Sequence, residues 1–241
     1  MLATSIAATS DVEVHALTAE HVPSFERDAL AERLSRGAIR SLKAKEHLFC
    51  EGDVARHVYR VEVGHICIYR MMSDGRRQVV NFACPGDIIG LGALGDHAES
   101  AQATEPTVVR AMPIALLREL AQTDTRLSMK LYEALSRELM AARELLFTVS
   151  QRTATERIAA FFLALSARAE RRGENPNEIV LPMTRLDIAD FLGLTIETVS
   201  RTLTKLRHEG VIDLEQCILV SILKPEALAE LAQGGTARAR T

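Results

Sequence analysis

"TRLDIADFLGLTIETVSRTLTKL" (residues 184–206) holds two short helices and the turn between them. Thr184 with Asp187 three residues on is a capping-box pattern that starts the first helix. In the second, Ile196, Val199, Leu203 and Leu206 recur at steps of three and four, which gives an amphipathic helix with one buried stripe. Thr195 is placed to cap it, and Glu197 lies in the first turn, where the helix dipole favours an anion. Gly210 suits the left-handed position after its C-terminus. Ala189 lets the two helices approach closely, Gly193 makes the tight turn, and Val199 packs the second helix on the first. That is the spacing of a helix-turn-helix.

The buried stripe leaves the opposite face unexplained. It carries Glu197, Ser200, Arg201, Thr204, Lys205 and His208. These side chains suit a DNA major groove: Arg donates two bonds to guanine, a carboxylate accepts from cytosine N4, and Ser or Thr reaches bases or phosphates. The competing reading is a solvated face on which Glu197 and Arg201 form an i,i+4 ion pair worth a few tenths of a kcal/mol. The capped helix before it, the glycine turn and two short strands after it (211–214 and 217–222), arranged as a wing, favour DNA reading. Glu197, Ser200 and Arg201 are then the base-contacting candidates. Thr184, Thr195, Ile196, Thr198, Thr204, Lys205 and His208 are the supporting or phosphate-contacting ones. The chain's net charge of -3 does not signal a polyanionic partner, so the basic groups must act locally.

Outward from this pair the 241-residue chain divides into segments. Residues 1–22 read as a loose arm, and a helix-like stretch with Ser24 as its cap follows. Residues 23–124 are expected to form a β-roll: short alternating segments are punctuated by turn signals at 51–53, Gly64, 73–75 and 85–87. A helix spans 125–149, with Leu127, Leu131, Leu135, Ala142, Leu145 and Val149 near a heptad seam that Glu138 interrupts. About 25 residues at ~1.5 Å each make a rod too long for one small β domain to cover, so a second copy of the helix is its expected partner. Residues 150–155 mark a hinge, and 156–235 form the DNA-binding unit. The fold class is α+β.

Other classes find little support. The longest apolar run, Ile158 to Leu165, has eight residues, far below the roughly 18 of a membrane span. The first Lys or Arg is Arg27, so no basic leader is expected and the cytoplasm is the expected location. There is no G-x-S-x-G, H-E-x-x-H or P-loop spacing, so the chain is not expected to be an enzyme. Cys50, Cys67, Cys84 and Cys217 show no C-x-x-C pair and read as reduced thiols. Cys84 continues the Val80, Phe82 alternation and reads as a small core residue. Cys217, at the turn of the wing, is a candidate redox-sensitive thiol, although Glu215 opposes a thiolate there. His47, His57, His65 and His97 are haem-ligand candidates in number only.

From about residue 25 to 235 the chain resembles the Crp–Fnr superfamily of transcription regulators. "ETVSR" (197–201) matches the Glu-x-x-Ser-Arg motif of its Fnr and FixK branch, whereas the cyclic-AMP receptor branch differs where Ile196 and Ser200 stand here. The resemblance implies a jelly-roll, cyclic-nucleotide-binding-like domain, a long dimerisation helix and a winged helix-turn-helix. It also implies a homodimer on inverted repeats of the form TTGAT-N4-ATCAA, read by Glu197, Ser200 and Arg201, with half-sites roughly 34 Å apart.

In the superfamily's nucleotide receptors a Gly-Glu pair and an Arg-Ser pair hold the ligand. Here Leu91 follows Gly90, and Glu99 precedes Ser100, so a carboxylate stands where an arginine would meet the phosphate. The iron–sulfur branch needs an N-terminal Cys cluster, yet the first 49 residues contain no Cys, and Arg110 stands near the remaining ligand position. The resemblance therefore implies a FixK-like activator without cofactor or metal, serving microaerobic respiration, denitrification or nitrogen fixation. RNA polymerase is its implied partner, with Asp74, Gly75 and Arg76 as the candidate contact. An effector-gated regulator of the same superfamily, answering to a small molecule, haem or thiol oxidation, is the first alternative. A repressor is another, and a β-roll metal-binding protein or enzyme is the alternative of a different class.

Overall fold

The computed structural model describes residues 29–93, 95–215 and 218–235. The N-terminal arm, Ser24 and Cys217 lie outside these residues.

Helix α1 (Ala29–Ser35) leads into eight strands: β1 (Ala38–Leu42), β2 (His47–Phe49), β3 (His57–Val63), β4 (Ile66–Met71), β5 (Arg77–Ala83), β6 (Ile88–Ile89), β7 (Ser100–Ala103) and β8 (Thr107–Pro113). They pair antiparallel into two four-stranded sheets, ordered β1-β8-β3-β6 and β2-β7-β4-β5. Alternation decides what they enclose. Tyr59, Val61, Ile89 and Val109 of the first sheet meet Phe49, Ile66, Ala83 and Ala101 of the second in one buried core. The turn at Gly64 requires glycine twice over: its φ is +80°, and a Cβ there would lie 2.5 Å from Thr107 Oγ1.

Helices α2 (Ile114–Thr123) and α3 (Thr125–Gln151) follow. Helix α2 falls in a stretch expected to belong wholly to the roll. Its ten residues carry their own helical period, and Leu117 joins Leu30, Leu34, Val58, Met112 and Leu127 in a second core under the roll. Asp124 separates the two helices and caps α3 by accepting from the amides of Arg126 and Leu127.

The expected heptad seam needs correction. Leu127 is fully buried within its own chain and so is not available to a second copy, and Leu131 is half-buried against the same core. The first turns of α3 lie on α1 and α2, and their apolar face is used there. Farther along the helix, Tyr132, Leu135, Leu139, Ala142 and Leu146 turn to solvent at steps of three and four. Leu145 is half-buried, and Val149 is half-buried beside the Gly193 turn. The exposed stripe is thus rotated from a register counted from Leu127.

The expected six-residue hinge is also shorter. Helix α3 runs to Gln151 and α4 (Ala154–Arg171) begins two residues later, because Thr153 and Glu156 form a reciprocal capping box. Only Arg152 and Thr153 are non-helical. The remaining elements are β9 (Glu178–Val180), α5 (Arg185–Leu192), α6 (Ile196–His208), β10 (Ile212–Glu215), β11 (Leu219–Ile222) and α7 (Pro225–Ala232). β9, β10 and β11 form a small antiparallel sheet ordered β10-β11-β9.

Candidate nucleic-acid interface

Helix α5 starts with Thr184 and Asp187 in the expected box. Thr184 Oγ1 accepts from the Asp187 amide at 3.2 Å, and the Asp187 carboxylate accepts from the Thr184 amide at 2.8 Å. The helix ends at Gly193, whose φ of +62° is left-handed. Thr195 then caps α6 by accepting from the Thr198 amide at 3.2 Å. Val199, Leu203 and Leu206 are buried against Ile188, Ala189 and Leu192. Two amphipathic helices share one core, and the outer face of α6 is left to solvent.

On that face Thr195, Ile196, Glu197, Arg201, Thr204, Lys205 and His208 are exposed, and Thr198 and Ser200 are half-buried. Glu197 and Arg201 form no ion pair among the described residues. The Glu197 carboxylate turns toward its own amide and the Thr195 hydroxyl, which together hold it below its ordinary pKa. The Arg201 guanidinium makes one long contact, 3.5 Å to Thr198 Oγ1. Thr204 Oγ1 donates to the Ser200 carbonyl at 2.9 Å, and Lys205 lies 4.0 Å from Glu209. Thr184 is exposed, yet its hydroxyl is committed to the Asp187 carboxylate at 2.7 Å. It serves first as a cap.

Two arginines here escaped sequence reasoning. Arg185 Nη1 reaches Ser200 Oγ at 3.4 Å and ties the start of α5 to the reading face of α6. Arg157, on α4, donates to the carbonyls of Leu192 and Gly193 at 3.0 and 3.3 Å and so holds the turn between the helices. A cation in the first turn of α5 opposes the helix dipole, and that local oddity was the available signal for Arg185. Arg157 had none.

The candidate sensor groups are scattered. Cys50 is exposed, whereas Cys67 and Cys84 are buried. Burial pushes the Cys67 thiol up to about 12 and raises Cys84 as well. His47 pairs with the Tyr69 hydroxyl at 2.8 Å, His65 with Glu105 at 2.5 Å, and His97 stacks on Phe49. The His57 ring lies 6.0 Å from that of Tyr59. Among the described residues no three His, Cys, Asp or Glu side chains converge as a metal site. Glu99 lies close enough to Glu138 of α3 to raise its carboxyl pKa, after the larger effect of burial. Asp74, Gly75 and Arg76 form the exposed turn between β4 and β5, where Arg76 Nε donates to Asp74 at 2.7 Å.

Comparison with known proteins agrees with this geometry. The profile of the Crp-like helix-turn-helix domain matches residues 156–231, and that of the cyclic nucleotide-binding domain matches 39–124. The chain is 38% identical over 211 residues to the transcriptional activator protein Anr of Pseudomonas protegens, covering 87% of this chain and 85% of that protein. It is 38% identical over 193 residues to the nitrogen fixation regulation protein FixK of Rhizobium meliloti, covering 80% and 86%. The solved structure of FixK2 from Bradyrhizobium japonicum superposes with a TM-score of 0.76 at 33% identity, covering 84% of this chain and 99% of that one. Among the described residues no helix is long and apolar enough to cross a membrane.

Proposed function

The chain belongs to the Crp–Fnr family of DNA-binding transcription regulators, and from that premise we propose that it is a homodimeric activator reading TTGAT-N4-ATCAA-like inverted repeats. Its relatives are regulators rather than enzymes. The observation that carries the reading is the outer face of α6. There Glu197 and Arg201 stand exposed one turn apart with Ser200 between them, on a helix whose other face is fully packed.

Arg201 donates to the half-site guanine, Glu197 accepts from cytosine, and Ser200, steadied by Arg185, reaches a base or its phosphate. Lys205, Thr204 and His208 meet phosphates farther along the helix, with Thr195, Ile196 and Thr198 at its entry. The exposed stripe Tyr132, Leu135, Leu139, Ala142 and Leu146 pairs with its copy in a second chain and sets the two α6 helices one DNA turn apart.

No cofactor enters this reading. Glu99 puts a carboxylate where a phosphate-binding arginine would stand, and burial suppresses the thiolates of Cys67 and Cys84. The Asp74–Gly75–Arg76 turn is the polymerase-facing contact. The regulated genes serve microaerobic respiration, denitrification or nitrogen fixation, as the family resemblance implies; the relative named a nitrogen fixation regulation protein supports the last of these.

Selection from a randomised duplex library tests the proposal. Two TTGA half-sites in inverted repeat, four base pairs apart in the form written above, are expected. A consensus without TTGA, or a single half-site, would contradict it.

A further inference from the structure

Arg77, the first residue of β5 in the roll, reaches across to the first helix of the DNA-binding unit. Its Nη2 donates to the carboxylates of Asp187 and Asp190, and its Nε also reaches Asp190, at 3.1 Å. The side chains of all three residues are a quarter or less exposed. Next to it Gln78 Nε2 donates to the Asp190 carbonyl at 2.5 Å. Behind it the Arg77 guanidinium lies 5.4 Å from the centre of the Tyr69 ring, whose hydroxyl His47 holds.

The surrounding contact is continuous core rather than surface touching. Cys67, Val79 and Phe82 of the roll share one buried cluster with Ile188, Ala189 and Leu192 of α5 and with Phe161 and Phe162 of α4. Phe191 packs between Phe82 and Phe161, with ring centres 5.4 and 5.7 Å away. On a second flank Arg168 of α4 bonds the Asp87 carboxylate and, at 3.1 Å, the Phe82 carbonyl. Against this, only Arg152 and Thr153 join α3 to α4. Two extended residues alone would let the DNA-binding unit swivel.

We propose that Arg77 is a positioning residue for DNA reading: by clasping Asp187 and Asp190 it fixes the angle of α5, and through it of α6, against the dimer rod. It thereby sets the half-site spacing the protein accepts. Asp187 is both the capping carboxylate of α5 and the clasp's acceptor. The same group that starts the helix therefore orients it. One base pair more or less between half-sites moves them by about 3.4 Å along the duplex and turns them by roughly 35°, a mismatch that a rigid pair of reading heads rejects and a swivelling pair tolerates.

The inference rests on the proposed inverted-repeat reading, and one titration separates the two. The full-length wild type, Arg77→Gln and Arg77→Lys are titrated against duplexes with TTGAT and ATCAA separated by three, four, five or six base pairs, against a single half-site, and against a scrambled duplex. Wild type is expected to prefer four base pairs clearly. Arg77→Gln is expected to lose about tenfold on that duplex and to bind the other three spacings nearly as well, while still rejecting the scrambled one.

Arg77→Lys, which keeps the charge but cannot span two carboxylates, is expected to fall between them. If Arg77→Gln does not fold, as read by its thermal transition, Asp190→Asn, which removes a clasp acceptor that does not cap α5, is expected to loosen spacing in the same way. A variant with the wild-type spacing profile would overturn the clasp, and so would equal losses on all duplexes including the single half-site. Tighter binding by Arg77→Gln would overturn it as well, by making the contact inhibitory. Wild type unable to tell its site from the scrambled duplex would instead overturn the reading beneath it.

Discussion

Arg201 stands exposed with one long internal contact, so its guanidinium can be redirected to a base without breaking the fold. Arg201→Ala is expected to cost about 1–3 kcal/mol on the specific duplex and to erase the preference for the half-site guanine; equal losses on random DNA would remove it from the base readers. Glu197 differs, because its carboxylate is engaged with the helix N-terminus and, on the proposed reading, has to leave it to meet cytosine. The thiols offer a separate check. Cys50 should react at once with a thiol reagent at neutral pH, whereas Cys67, raised to about 12 by burial, and Cys84 should react only on unfolding. Fast labelling of Cys67 in the native protein would contradict its placement in the shared core. At this scale the caps were legible in sequence. Thr184, Asp187, Thr195 and Gly193 act on neighbours within a few residues, which spacing reveals. Arg77 was not legible, since its partners are 110 and 113 residues away and nothing local marks it.

Among the elements, α3 and α5 carry the sharpest expectations. Leu139 and Leu146 are 53% and 71% exposed on the single chain, so Leu139→Asp with Leu146→Asp should leave the fold intact and give monomers that bind operator weakly. A variant that stays dimeric by mass would contradict the seam. Leu131 is unsuited to this test, because it packs into its own chain. The length and periodicity of α3 were legible, but its register was not: which turns lie on α1 and α2 is a tertiary fact that no heptad count contains. Helix α5 bears on acid stability. Burial alone would raise the Asp187 carboxyl, yet hydrogen bonds from Thr184 and Arg77 hold it below the ordinary 3.8. Its contribution is therefore complete above that pH and is lost as pH falls through the depressed value. Arg77→Gln should move the acid transition to higher pH; an unchanged transition would mean that the clasp adds nothing to stability.

At the scale of the molecule, the roll and the reading head are joined through one core that crosses from β5 to α5, while the rod is seated on a second core with α1 and α2. The division into roll, long helix and winged helix-turn-helix was legible because each part has its own period: two in the strands, 3.6 in the helices. How the parts dock was not, because docking depends on side chains distant in sequence, such as Phe82 with Phe191 and Arg168 with Asp87. The docked contacts from β5 to α5 hold the reading head against the roll, and on the proposed reading the protein is expected to bind its operator without an added ligand. The most direct test is to titrate the purified protein, in air and without added ligand, against a TTGAT-N4-ATCAA duplex and a scrambled control at one fixed salt concentration, since affinity for DNA falls steeply with salt. Binding to the inverted repeat at least about a thousandfold tighter than to the control is the expected result. Equally weak binding to both would contradict a regulator that is competent on its own.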